Sequence, residues 1–138
     1  MEVLLKRKNI RINLDGDELI LNHDPSLFYQ LISNLVTNVA KYAYEAGGVI
    51  DINIKNSNND IRITFTDYGK GIPEENLSKI FDAFFTTGGG RGGLGLGLNI
   101  VYSIVQNKLQ GEITCTSKEN KGTTFTIKIP RDAPADDN

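Results

Sequence analysis

Apolar and polar residues alternate along several stretches of the chain, and two longer stretches repeat their apolar residues every three or four positions. Strict alternation is typical of half-buried β-strands, whereas the longer period indicates a helix with one buried face. The pattern predicts strands and helices that follow one another in a single unit. The alternating stretches are 10–14, 50–54, 61–65, 113–116 and 124–129, and the helical stretches are 25–44 and 96–109.

Turn-forming residues divide the strands into hairpins. Asp15-Gly16 separates the first stretch from Glu18–Leu21, which predicts an antiparallel pair. The polar run 56–60 separates the second and third stretches, and the last two stretches form a closing hairpin.

The helices have recognisable start and stop signals. Asp24 is suited to cap the first helix, and Pro25 suits its first position. Its apolar face predicts a long amphipathic helix that ends near residues 44–48. The sequence then predicts a loop over 67–73, a short helix over 74–81, a glycine-dense loop over 88–93 and a last helix followed by Gly111.

Hairpins separated by helices favour an α/β (α+β) two-layer sandwich. We expect a mixed, mostly antiparallel sheet covered on one face by about three helices. The length of 138 residues and an ordinary apolar fraction of 39% indicate one domain. Its expected bounds are residues 1–130, and residues 131–138 are expected to form a disordered tail.

Charge and cysteine content narrow the function classes. A net charge of −2 does not indicate the excess of positive charge that proteins use to bind nucleic acid or an anionic membrane surface. Cys115 and His23 are each the only residue of their type, which excludes an internal disulfide and a zinc site of Cys and His ligands. No apolar run approaches the roughly 20 residues of a membrane span, and the first residues do not form a signal peptide. We expect a cytoplasmic piece without direct membrane contact, whose parent protein can still be an inner-membrane sensor.

Polar and glycine-rich motifs interrupt the predicted elements. They are Asn34–Ala43, Asp67–Pro73 with the following Ile80–Thr87, Gly93–Leu98 and Gly122–Phe125. In this order they resemble the asparagine box, the first glycine and phenylalanine boxes, the second glycine box and the final strand entry of the Bergerat ATP-binding fold in the histidine kinase family. The resemblance extends from the first hairpin to Pro130, and it implies binding of ATP and Mg²⁺.

Asn34, Asn38 and Lys41 are spaced by four and three residues, so they share one helix face. An Asn carbonyl oxygen suits Mg²⁺, which takes few protein ligands beside substrate phosphates, so Asn38 is the expected metal ligand. The resemblance implies that Lys41 contacts phosphate and that Tyr42 lines the ribose or adenine. For the asparagine pair alone, a plain polar helix face is an equally good interpretation.

Asp67 ends a stretch whose alternation predicts an inward-facing carboxylate, and a buried carboxylate needs hydrogen-bond partners. The resemblance assigns Asp67 to the exocyclic amine of adenine. Gly69 and Gly71 would let the backbone approach the base, although Asp-x-Gly-x-Gly alone also fits a plain turn.

Gly93, Gly95 and Gly97 precede a predicted helix, where free amides and the positive end of the helix dipole favour phosphate. A Rossmann turn would need a strand just before the glycines, and a flexible linker would not interleave leucine with glycine. We expect residues 84–93 to form a lid that orders on ATP and is docked by phenylalanines, for which a plain core role is also compatible. The resemblance further places Ile72, Phe81, Thr86, Leu94, Leu96, Leu98 and Thr123 in the nucleotide site.

Asn34 stands where chaperone, gyrase and mismatch-repair ATPases of this fold have a glutamate base. An amide cannot take a proton from water, so hydrolysis should be slow and the γ-phosphate kept for a histidine. The resemblance implies that the catalytic residues are Asn34, Asn38 and Lys41. His23 is not the expected acceptor, because the family's acceptor lies on a dimerising helix upstream; we expect a solvated turn histidine.

The resemblance predicts the catalytic domain of an ATP-dependent protein-histidine kinase whose acceptor histidine lies outside this chain. Its expected partners are its own dimerisation and phosphoacceptor domain and a downstream response regulator, with the isolated domain monomeric. The alternative is a regulatory nucleotide-binding module, either an anti-sigma-type serine kinase or a degenerate kinase.

Overall fold

A computed structural model describes residues 10–18, 23–39, 48–82 and 95–131 of the chain. Within these ranges there are five strands and two helices longer than one turn. The strands are β1 (Ile10–Gly16), β2 (Gly48–Asn56), β3 (Asp60–Asp67), β4 (Glu112–Lys118) and β5 (Gly122–Pro130). The helices are α1 (Pro25–Asn38) and α2 (Gly95–Ser103), and a π-helical segment over Ile104–Lys108 continues α2.

The strands form one mixed sheet in the order β1-β2-β3-β5-β4. β1 runs parallel to β2, whereas the other neighbouring pairs are antiparallel. The mixed, mostly antiparallel sheet predicted from the alternation is confirmed. Parallel neighbours need a crossover connection, and α1 lies in the connection between β1 and β2.

The tight turn predicted at Asp15-Gly16 is wrong. Both residues belong to β1, and Gly16 pairs with Ile54 of β2. The backbone N–H of Asp17 donates to the Ile54 carbonyl at 2.7 Å, and the Asp17 carboxylate accepts from the N–H of Asn56 at 2.7 Å. Because of these bonds, the chain continues alongside β2 after Gly16 and does not reverse its direction in a hairpin turn. Most of the expected partner strand lies outside the described residues.

One face of the sheet is apolar and the other is polar. Isoleucine and phenylalanine occupy the inner positions of β2, β3 and β5, and they form one buried cluster with Leu31 and Leu35 of α1 and Leu98 of α2. Both helices therefore cover the same face, which gives the predicted two-layer sandwich. Two rows of threonine cross the outer face of β3, β5 and β4: Thr64, Thr126 and Thr114 in one row, and Thr66, Thr124 and Thr116 in the other.

The short helix predicted over 74–81 is reduced to one turn of 3₁₀ helix at Glu74–Asn76, followed by further turns. Its hydrogen bonds join residues three apart, for example from the N–H of Lys79 to the carbonyl of Asn76 at 2.9 Å. Among the described residues, two helices rather than three thus cover the sheet. Ile80 is nevertheless fully buried, so this segment still closes part of the core.

The start of α1 agrees with its predicted cap. Asp24 Oδ1 accepts from the backbone N–H of Ser26 at 3.0 Å and from its hydroxyl at 2.8 Å, and Pro25 is the first helical residue. The backbone bond, aided by the hydroxyl, lowers the pKa of Asp24, because both favour the carboxylate. His23 does not simply face solvent, since its Nε2 lies 2.8 Å from the carbonyl oxygen of Pro130. The predicted end of this helix lies outside the described residues.

The π-helical continuation of α2 ends at Lys108, and Gly111 follows it as predicted. The N–H of Gly111 donates to the carbonyl of Val105 at 2.7 Å, and the residue in the left-handed conformation is Gln110, with φ of 59°. Gly111 instead lies against β5, where a Cβ would come 2.4 Å from the carbonyl oxygen of Lys128. Close packing, rather than a positive φ, therefore explains the glycine.

Replacing Gln110 with glycine is expected to stabilise the protein by about 1 kcal/mol, because glycine adopts a positive φ without the steric penalty of a side chain. Equilibrium urea unfolding measures the change. Gln106→Gly is the control, because Gln106 is exposed within the helical segment, where glycine should cost about 1 kcal/mol. Equal losses in both variants would contradict the prediction.

Candidate functional site

Asp67 is the last residue of β3 and faces inward, as the alternation predicted. It is only 4% exposed. Its Oδ1 accepts from the N–H of Gly69 at 2.9 Å, and the backbone N–H of Thr123 also donates to the carboxylate. Burial raises the pKa of Asp67 more than these two donors lower it. A carboxylate has about four lone-pair sites, so this one can still accept from a ligand.

The loop after Asp67 is held against the turn between β4 and β5. Gly71 has φ of +73°, and a Cβ there would lie 2.1 Å from the carbonyl oxygen of Lys118. Gly122 has φ of +111°, and a Cβ there would lie 2.2 Å from the carbonyl oxygen of Asp67. Both positions require glycine for conformation and for space. The first glycine motif is thus a packed part of the fold and not a plain surface turn.

A cluster of hydroxyl groups lies at the end of β4 and the start of β5. Ser117 Oγ accepts from the N–H of Ile72 at 2.8 Å and donates to the carbonyl of Gly122 at 2.8 Å. Thr123 Oγ1 lies 2.8 Å from Ser117 Oγ, and Thr123 is only 7% exposed. Hydrogen bonds therefore bring Asp67, Gly69, Ile72 and Thr123, all predicted site residues, into one group.

Asn34 and Asn38 lie one turn apart on α1, with the predicted spacing. Asn34 is half-buried, and Asn38 is 7% exposed. Among the described residues, Nδ2 of Asn38 is buried without a hydrogen-bond partner. Leaving such a group unsatisfied costs roughly 1–3 kcal/mol, so Asn38 is suited to contact a bound group. The predicted Lys41 and Tyr42 lie outside the described residues.

The start of α2 follows the second glycine motif. Gly95, Leu96 and Gly97 form its first turn, and the Leu98 side chain is fully buried in the core. The ring of Phe81 lies 5.3 Å from that of Tyr102 and 6.3 Å from that of Phe125, which supports a core role for Phe81. The predicted lid over 84–93 lies outside the described residues, and so do Thr86, Gly93 and Leu94.

Sequence reasoning missed Ser117 and the packing role of Gly122. A signal for Ser117 was present, because it has the inward parity of Ile113 and Cys115 on β4. A polar residue at an inward position marks a place where a strand leaves the apolar core. Asp67 on β3 and Thr123 on β5 are also polar residues at inward positions. This shared feature would have predicted that the three side chains lie close together.

Cys115 is a packed thiol, because it is half-buried against the core. Burial, with a smaller contribution from the charge of Asp67, raises the pKa of Cys115 to about 12. Since this exceeds the unperturbed value of 9.0, the stability that the neutral thiol contributes is complete below pH 9 and is lost as the pH rises toward 12.

The Cys115 thiol is therefore expected to react with a disulfide reagent at pH 8 about a thousandfold more slowly in the folded protein than in urea, because the thiolate is the nucleophile. Absorbance of the released thiol measures both rates. Comparable rates in the folded and unfolded protein would contradict the burial of this thiol.

The sheet with helices on one face, the buried Asp67 and the packed glycine turn define the class of this protein as a two-layer α/β domain with a polar site at one end of the sheet. The chain belongs to the family of histidine kinase-, DNA gyrase B-, and HSP90-like ATPases, whose model matches residues 23–133. Within that family it is homologous to the catalytic domains of sensor histidine kinases.

Individual relatives support this placement. The catalytic domain of histidine kinase ThkA is 32% identical, with a TM-score of 0.80 over 95% of this chain and 86% of that one. ThkA in complex with the response regulator TrrA is 31% identical, with a TM-score of 0.74 over 94% of this chain and 36% of that one. Sporulation kinase A of Bacillus subtilis is 35% identical over 122 residues, which are 88% of this chain. The chain spans 20% of that relative's length.

In the parts of the chain that the structure describes, no helix has both the length and the apolar character needed to cross a membrane.

Proposed function

We propose that this domain transfers the γ-phosphoryl group of ATP to a histidine on a separate dimerisation domain of a sensor kinase. The observation that carries the proposal is the buried Asp67 carboxylate, which retains acceptor sites beside a glycine turn. The exocyclic amine of adenine is a donor that would satisfy it. Family membership and the similarity to histidine kinase catalytic domains support the same assignment.

The amide of Asn38 fits the proposed Mg²⁺-phosphate site. Its carbonyl oxygen is a hard ligand of the kind that Mg²⁺ accepts beside substrate phosphates. Its buried Nδ2, unpaired among the described residues, is a donor that suits a phosphate oxygen. When bound, Mg²⁺ would neutralise charge on the phosphates. Lys41 and the backbone amides at the start of α2 are proposed to hold phosphate as well.

Asn34 is proposed to favour transfer over hydrolysis. In the reaction, an imidazole nitrogen of the acceptor forms a bond to the γ-phosphorus as the bond to the bridging oxygen breaks, and ADP leaves. Because the Asn34 amide cannot remove a proton from water, water remains a poor competitor for the phosphoryl group. The protein's own groups contribute mainly by positioning and by stabilising charge.

The partners of the whole protein are part of this proposal. The acceptor would be the dimerisation domain of the parent protein, and the phosphoryl group would pass on to a response regulator. The complex of ThkA with TrrA supports a response regulator as one of the partners. We propose a cytoplasmic location and a monomeric state for the isolated domain.

Incubation with γ-³²P-labelled ATP and Mg²⁺, with and without a histidine-bearing acceptor domain of the parent protein, tests the function. We expect label on the acceptor that acid removes and base does not, since phosphohistidine is acid-labile. Acid-stable label would indicate the serine kinase alternative. Release of phosphate without acceptor would indicate a hydrolytic ATPase, and nucleotide binding without either reaction would indicate a degenerate kinase.

ADP affinity is expected to fall as the pH is lowered through the pKa of Asp67, which burial places above 3.8. The ionised carboxylate accepts a stronger hydrogen bond from the adenine amine than the protonated acid does. The effect of Asp67 on folding has the opposite sign: its raised pKa makes the protonated form stabilising below 3.8, and that stability is lost as the pH rises through the folded pKa. Calorimetric titration with ADP between pH 4.5 and 7.5 measures the binding. Affinity that rises on acidification would contradict the assignment.

A further inference from the structure

We infer that Ser117 is a positioning residue that fixes the hydroxyl proton of Thr123, and so makes this end of the site select a 6-amino purine over a 6-oxo purine. The inference rests on the proposed nucleotide site and deepens it. Its basis is the hydrogen-bond arrangement around Ser117 Oγ.

Ser117 Oγ has three neighbours at 2.8 Å: the N–H of Ile72, the carbonyl oxygen of Gly122 and Thr123 Oγ1. A hydroxyl has one hydrogen and two lone pairs. The Ile72 N–H can only donate, and the Gly122 carbonyl can only accept. Ser117 uses its one hydrogen to donate to the Gly122 carbonyl, so the hydrogen between the two hydroxyl groups comes from Thr123.

This arrangement leaves Thr123 Oγ1 with lone pairs alone. Thr123 is paired with Asp67 across β5 and β3, and its backbone N–H donates to the Asp67 carboxylate. The carboxylate is also an acceptor when it is ionised. Two neighbouring side chains therefore present acceptors, which suit the N–H groups of a 6-amino substituent. A 6-oxo group would face lone pairs without a donor.

Removing the Ser117 hydroxyl would free the Thr123 hydroxyl to rotate and to donate to a 6-oxo group. In Ser117→Ala, the preference for ADP over inosine diphosphate, taken as the ratio of their dissociation constants, is expected to fall about fivefold to tenfold, the effect of one hydrogen bond. Ser117→Thr retains the hydroxyl and should keep the wild-type ratio. Thr116→Ala is the matched control, because Thr116 is exposed on the outer face of the same strand.

Isothermal titration with the Mg²⁺ complexes of ADP and inosine diphosphate, together with melting temperatures, gives the result. A lower ratio in Ser117→Ala, with the wild-type ratio in Ser117→Thr, supports the inference. A proportional loss for both nucleotides, or no change, overturns it, because Ser117 would then be only structural. If Ser117→Ala does not fold, Ser117→Cys, whose thiol is a weak hydrogen-bond partner, replaces it with the same criterion. Wild-type protein that binds neither nucleotide would overturn the proposed function itself.

Discussion

Replacing Asp67 with asparagine is expected to weaken ADP binding by roughly 10- to 100-fold, which corresponds to about 1.5–3 kcal/mol for a charge-assisted hydrogen bond. The amide keeps the shape of the side chain but loses the charge, and one of its two polar atoms becomes a donor. The variant tests the proposed adenine contact directly. Calorimetric titration gives the affinity, and the shift in melting temperature at saturating ADP provides a second readout.

Asp60→Asn is the matched control, because Asp60 lies at the opposite end of β3. It forms an exposed ion pair with Lys128 at 3.5 Å. Exposed pairs contribute little, so this variant should bind ADP like the wild type and melt within a few degrees of it. If Asp67→Asn retained wild-type affinity, the adenine would have to bind elsewhere.

Replacing Gly71 with alanine is expected to destabilise the fold by about 3 kcal/mol and to lower the melting temperature by roughly 10 °C. The new Cβ would lie 2.1 Å from the carbonyl oxygen of Lys118, and φ of +73° is unfavourable for alanine. Backbone must move to relieve the contact, so the loop would shift away from Asp67. Thermal unfolding with and without ADP should show a lower melting temperature and a smaller nucleotide shift.

Gly69→Ala is the matched control for Gly71→Ala, because it replaces a glycine of the same loop that does not need a positive φ. Gly69 is not among the described glycines with positive φ, and its N–H, which donates to Asp67, remains in alanine. Gly69→Ala should therefore melt much closer to the wild type than Gly71→Ala does. Similar melting temperatures for the two variants would contradict the packing described for Gly71.

Most of the sheet could be predicted from the sequence because alternation reports burial directly. Ile61, Ile63 and Phe65 set the inward parity of β3, and the same parity placed Asp67 inside. The asparagine spacing on α1 was predictable for the same reason, since a regular period fixes which side chains share a face.

Features set by distant contacts could not be predicted. Asp15-Gly16 has hairpin chemistry, yet hydrogen bonds from Asp17 to β2 continue the strand. Gln110, rather than the neighbouring glycine, adopts the left-handed conformation, whereas Gly111 is required by its close contact with β5. The parity of β4 indicates that Ser117 lies inward, but it does not identify the hydrogen-bond partners of Ser117, which are Ile72 in the loop after β3 and Gly122 and Thr123 of β5.

The two threonine rows on the outer face have a consequence for how the sheet assembles. Threonine is β-branched and forms strands readily, but its hydroxyl makes it a poor substitute for isoleucine in the core. A slip of one residue between β3 and β5 would turn threonines such as Thr64 and Thr126 inward and expose isoleucines such as Ile63 and Ile127. A misaligned pairing of β3 and β5 is therefore less stable than the native one, because it buries hydroxyl groups and exposes isoleucine along both strands. The most stable register is the one that pairs Asp67 with Thr123.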